Sequence, residues 1–96
     1  MGLWEKVQAH KGDILRLAEI HGASNIRIFG SVARREDGPD SDIDFLVEMG
    51  SDRSLLDRAG LLGDLEELFG LKVDVTTEKS LKPRIKERVM KEAIPL

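Results

Sequence analysis

At 96 residues, with 41% hydrophobic and 34% charged residues, the chain has the make-up of one small folded domain over residues 1–96, with no room for a second core. A net charge of -3 excludes a uniformly basic nucleic-acid binder, and zero cysteines exclude a disulfide framework and thiolate chemistry. No apolar run is long enough to cross a membrane, and "MGLWEKVQAHKGDILR" has neither the basic start nor the apolar stretch of a secretory signal, so a cytoplasmic location is expected.

Taken in chain order, "LWEKVQAHKGDILRLAEIHG" reads as helix, with Leu3, Val7, Ile14, Leu17, Ala18 and Ile20 forming an apolar stripe. Gly12 is placed to split this helix, with Asp13 capping the second part, and His21-Gly22 ends it. "NIRIF" alternates and is β-branched, which predicts a strand over 25–29. "SVARRE" follows as a short helical segment and "DGPDS" as a turn. "DIDFLVEM" is a second strand, stopped by Gly50. Three- and four-residue steps of Leu55, Leu56, Ala59, Leu62, Leu65, Leu68 and Phe69 predict an amphipathic helix from Ser54 to Phe69, stopped by Gly70. "LKVDVTT" alternates over 71–77 as a third strand. Leu81, Ile85, Val89 and Ala93 then mark a last helix whose first turn accepts Pro83. The expected class is α/β, or α+β if strands pair in mixed directions, with a small mixed sheet of three or four strands flanked by helices.

Charge is unevenly spread. Residues 36–57 are acid-rich, whereas Lys79 to Lys91 holds six basic residues and one acid, Glu87. Such local fields suit a small anionic ligand held through metal, or an oppositely charged protein partner. The basic run also reads simply as a solvated helix face. His10 and His21 lack ligand spacing and read as surface residues near helix ends, and Trp4 reads as packed against the N-terminal helix or a partner.

Side chains alternate faces along a strand. In "DIDFLVE", Asp42 and Asp44 therefore share one face, about 7 Å apart along the strand, while Ile43, Phe45 and Val47 take the other. In "LKVDVTT", Leu71, Val73 and Val75 face one way and Asp74 the other. If the second and third strands are neighbours with apolar faces in one core, Asp74 joins the two acids. Three carboxylates on one surface repel unless cations neutralise them, and hard oxygen ligands favour Mg²⁺ or Mn²⁺. Gly30-Ser31 lies where a strand ends and a short helix begins. Free backbone N–H groups there suit phosphate oxygens, the Ser31 hydroxyl adds a donor, and Arg34 adds charge one turn on. Taken singly, Asp-x-Asp also fits a capped strand start, Gly-Ser a plain turn, and Asp74 a solvated polar face. The conjunction of acids for metals with a glycine-serine turn for phosphates points to nucleoside triphosphate chemistry.

The stretch "FGSVARREDGPDSDIDFLVE" resembles the nucleotidyltransferase fold typified by DNA polymerase beta, and most closely its minimal nucleotidyltransferase (MNT) branch. Gly30-Ser31, ten intervening residues and Asp42-Ile43-Asp44 reproduce the GS-x10-DxD signature, with the usual Ala33-Arg34 and Ser41. Arg35 departs from it, standing where the family often has glycine. The resemblance implies transfer of AMP from ATP with release of pyrophosphate, on two Mg²⁺ or Mn²⁺ ions. It implies Asp42 and Asp44 as the metal-ligand pair, and Asp74 as a third carboxylate that contacts a metal and helps deprotonate the attacking hydroxyl. Gly30 and Ser31 would hold the β and γ phosphates, with Arg34 and Ser41 also at the nucleotide.

Many MNT proteins are antitoxins paired with a small helical HEPN ribonuclease toxin, and characterised members add AMP to a toxin tyrosine. The chain contains no tyrosine, so such a modification would occur in trans. The resemblance thus implies a protein adenylyltransferase antitoxin that works in a homo- or hetero-oligomer, without direct nucleic-acid binding. The alternatives are a catalytically silent antitoxin that acts by covering its partner, and transfer to a small molecule with a separate acceptor-binding subunit. An exposed apolar patch is expected if the partner is obligatory.

Overall fold

The structure, a computed structural model, describes residues 2–96. Helices α1 (Leu3–Ala9) and α2 (Lys11–Ile20) lead into strand β1 (Ala23–Phe29), followed by the short helix α3 (Gly30–Ala33). Strand β2 (Ile43–Met49), helix α4 (Leu55–Phe69) and strand β3 (Val73–Thr77) come next, and a single 3-10 turn over Glu78–Ser80 precedes α5 (Pro83–Glu92) and β4 (Ile94–Pro95). The sheet order is β3-β2-β1-β4, with β2 and β3 parallel and the other two pairs antiparallel. This is the mixed sheet flanked by helices that the patterning indicates, with four strands.

The helix ends follow local chemistry. Ser54 caps α4 in a reciprocal capping box with Asp57, and Gly70 closes it in the left-handed region at φ 68. Pro83 opens α5, where its missing N–H costs nothing. The first helix does divide, but at His10 and not at Gly12, which lies inside α2. Asp13 is a first-turn acid paired with His10 and Arg16, not a cap. Asn25 sits at φ 48 and the β1–β2 register shifts between Ser24 and Arg27, an irregularity near the start of the strand, while the alternation expected from "NIRIF" holds with Ile26 and Ile28 buried.

One hydrophobic cluster unites Val7, Ile14 and Ala18 of the N-terminal helices, Leu61, Leu65 and Phe69 of α4, and Ile28, Ile43, Phe45 and Val47 of the central strands. Ile43, Phe45 and Val47 are thus the buried face of β2, as alternation requires, and they pin this strand from behind. Leu46 is the exception to an open acid face. It points with Asp44 to the opposite side of the sheet, yet it is fully buried and outside the main cluster, as is Val89 of α5. A second, thinner apolar layer therefore covers the middle of the acid-bearing face, between Asp44 and the exposed Glu48. His21 is also more than a surface residue: its Nε2 lies 2.6 Å from Asp64 of α4, and Gly60 leaves the room its ring occupies.

The second layer has a direct test. Leu46→Ala should destabilise the protein by about 2–4 kcal/mol in equilibrium urea unfolding, the range for truncating a buried leucine. A solvent-facing leucine would cost well under 1 kcal/mol.

Candidate active site

The parallel register places Asp44 of β2 directly beside Asp74 of β3. Val73 and Val75, on either side of Asp74, are buried, so the core fixes the face on which its carboxylate emerges. Asp42 immediately precedes β2 and shares the face of Asp44, with Ile43 between them fully buried. The three sequence-predicted acids are therefore brought to one end of one sheet face. Asp42 and Asp44 are half-buried and Asp74 is exposed.

The antiparallel register on the other side of β2 places Phe29 opposite Asp44, so Gly30 begins α3 at the edge of the acid cluster. Two constraints demand glycine here. The backbone is left-handed at φ 76, and a β-carbon would collide with the Asp44 carboxylate oxygen. The glycine and the second acid of the signature, distant in sequence, are thus in van der Waals contact.

Ser31 is half-buried beside Gly30, and its carbonyl accepts from the Glu36 N–H at 2.8 Å. Ser41 accepts from the Gly38 N–H at 2.8 Å through its hydroxyl and shapes the turn that delivers Asp42. Arg34 is already engaged: its Nε donates to Glu36 at 2.8 Å and its Nη1 to Glu92 at 2.9 Å. These two carboxylates hold the guanidinium pKa above its ordinary value. Arg35, the departure from the signature, is also left-handed at φ 56. Its guanidinium stacks 3.7 Å above the Trp4 ring and donates to the Ala33 carbonyl at 2.6 Å. A cation–π contact to α1 thus holds a backbone shape that glycine would adopt unaided. Glu92, at the end of α5, is the site neighbour that no motif marks. It reaches across 62 residues to accept from the Gly30 N–H at 2.7 Å.

Partial burial of Asp44, with repulsion from Asp74, Asp42 and Glu92, raises its carboxyl pKa from 3.8 to about 6. A cation fits such a cluster in kind: the donors are hard carboxylate oxygens whose charges lack compensation. Among the described residues no group of three such side chains converges tightly enough to clasp an ion by itself. A cavity of about 670 Å³ lies elsewhere, at the far ends of β2 and β3, between Glu48, Arg53, Thr77, Lys79 and Lys86. The acids, not this cavity, define the site, because only there do charge, glycine geometry and register coincide.

The raised pKa fixes the sign of a pH effect. Between about pH 4 and pH 6 the unfolded chain has lost the Asp44 proton while the folded protein retains it, so stability falls as pH rises through that window. Asp44→Asn should remove this slope and stabilise the metal-free protein at pH 7 by about 1–2 kcal/mol, discounted for solvent screening. Thermal unfolding of both proteins at pH 4 and pH 7 checks it. Gly30→Ala should destabilise by about 2 kcal/mol or more in the same assay.

Residues 13–96 match the family model described as nucleotidyltransferase domain. The chain is 45% identical over 84 residues to MJ0435 of Methanocaldococcus jannaschii, assigned as a protein adenylyltransferase, covering 88% of this chain and 90% of that protein. It is 41% identical over 86 residues to the protein adenylyltransferase MntA of Thermococcus cleftensis, covering 90% and 84%. Among solved structures, a minimal nucleotidyltransferase superposes with a TM-score of 0.87 at 47% identity, over 100% of this chain and 97% of that one. A toxin-antitoxin structure with AMP-PNP shares the fold, with a TM-score of 0.73 at 21% identity over 88% of this chain and 69% of that one. The chain accordingly belongs to the nucleotidyltransferase domain family, in its minimal branch, and is a nucleotidyltransferase.

Proposed function

We propose that this protein transfers AMP from ATP to a hydroxyl group of a partner protein, as an antitoxin that adenylylates and so neutralises a helical HEPN ribonuclease toxin. The observation that carries the reading is the adjacency of Asp44 and Asp74 across β2 and β3, with Gly30 against Asp44. The toxin as acceptor is supported by the adenylyltransferase MntA relative and by the toxin-antitoxin structures that share the fold.

In this reading Asp42, Asp44 and Asp74 would hold one or two Mg²⁺ or Mn²⁺ ions, which supply charge neutralisation at the transferred phosphoryl group. Gly30 and Ser31 orient the β and γ phosphates by hydrogen bonds. Arg34 supplies positive charge at the same loop, and Ser41 sets the turn that aims Asp42. Asp74, the most exposed of the three acids, would take the proton of the acceptor's hydroxyl. The hydroxyl oxygen forms a bond to the α-phosphorus, the bond from that phosphorus to the α,β-bridging oxygen breaks, and pyrophosphate leaves with the electron pair. The absence of tyrosine from the chain makes a tyrosine acceptor necessarily one on another protein.

A covering role without catalysis has one observation in its favour: Leu55 and Leu56, at the start of α4, are 73% and 83% exposed, and Ile20 is 60% exposed. The two readings separate in one experiment. With labelled ATP, Mg²⁺ and the co-encoded helical partner, the wild-type protein should label the partner. Asp42→Asn and Asp44→Asn should each lower the rate by about a hundredfold or more, because each removes a ligand to the neutralising ion. Unlabelled partner would remove the enzymatic reading, and protection of cells by the two variants would show that covering suffices.

A further inference from the structure

Gly30 N–H and the Arg34 guanidinium are two of the groups at the glycine turn that the nucleotide reading assigns to the triphosphate, beside Ser31. Both are already occupied, and by the same side chain. Glu92 Oε2 accepts from Gly30 at 2.7 Å and Oε1 accepts from Arg34 at 2.9 Å. The Glu92 side chain is only 15% exposed, whereas Arg34 is 43% exposed, so the carboxylate is seated within the loop and not draped over it. Its two oxygens divide between a backbone N–H and a guanidinium as two oxygens of one phosphate would.

We propose that Glu92 is an internal stand-in for the triphosphate, a latch that fills the anion seat until the nucleotide displaces it. The inference rests on the nucleotide reading above and names a further residue of that site. Arriving phosphate oxygens compete with the carboxylate for the same donors and meet its charge if it stays. Binding therefore requires Glu92 to swing out, and the strength of its two charge-assisted hydrogen bonds is subtracted from nucleotide affinity. Glu92 ends α5 and lies two residues before Ile94, which pairs with Ile28 of β1; Leu96 N–H donates to the Ile26 carbonyl at 3.0 Å. Release of the latch is thereby transmitted to the C-terminal strand. A purely structural bolt between α5 and the loop would give the opposite outcome, since loosening a phosphate loop weakens its ligand.

The test is calorimetric titration with the Mg²⁺ complex of α,β-methylene ATP, which lacks the cleavable bridging oxygen, in wild type and Glu92→Gln. Glutamine keeps the size and one acceptor but loses the charge, and it should bind about tenfold more tightly. Glu92→Asp, which keeps the charge on a shorter arm, should fall between them. In the wild type, without any substitution, the Glu92 side-chain carboxyl carbon and the Gly30 amide should both shift in NMR spectra on binding. A Glu92→Gln affinity equal to or weaker than wild type, or a carboxyl resonance that stays put while the Gly30 amide moves, would overturn the latch and leave the nucleotide site standing. If neither protein binds the analogue, the nucleotide reading fails and the latch with it.

Discussion

The contact between Gly30 and Asp44 is the constraint on which the rest of the site depends. It exists because β1 and β2 pair antiparallel with Phe29 opposite Asp44, so that the turn leaving one strand meets the acid opening the next. The contact excludes a β-carbon at Gly30 and demands a left-handed backbone there. It also desolvates Asp44, whose carboxyl then suffers most from the acids around it. The glycine turn and the carboxylates are thus brought to one place by a single strand pairing. Everything behind the sheet holds that pairing in place: the buried Ile43, Phe45 and Val47, and the helices packed upon them.

A cluster of repelling carboxylates lowers the stability of the protein that carries it, and the fold places its strongest packing directly beneath. Every second residue of β2 from Ile43 to Val47 is buried in the main core, and Leu46 is buried on the other face. The strand that bears the electrostatic cost is therefore the strand held from both sides. Under the proposed function, a bound cation would compensate these repelling charges.

Much of this was legible in the sequence where local rules decide the outcome. Period-two alternation placed Asp42 and Asp44 opposite Ile43, Phe45 and Val47, and Ser54, Gly70 and Pro83 marked helix ends by capping chemistry. The misses are places where a distant segment decides. Leu46 shares the face of Asp44 by alternation and is nonetheless fully buried. Strand β4 is two residues long and contains a proline, which leaves no propensity signal, yet it completes the sheet edge. Glu92 reads as one more charge on a basic helix, and only the fold brings it to Gly30. The helix break lies at His10, whose ring packs edge-on to Phe69 at 5.5 Å, while Gly12 is tolerated inside α2. Arg35, where the family often has glycine, sits left-handed at φ 56 with its guanidinium stacked on Trp4, 31 positions earlier.

The central claim is that cation and triphosphate share the Gly30–Asp44–Asp74 end of the sheet. The most direct measurement is paramagnetic line broadening by Mn²⁺ in the presence of a non-cleavable ATP analogue. The account predicts that the amides of Gly30, Ser31, Asp44 and Asp74 broaden first, while those of Met49, Thr77 and Lys79 at the opposite strand ends stay sharp. Broadening centred on the cavity between Arg53, Lys79 and Lys86, or spread evenly over the surface, would contradict it.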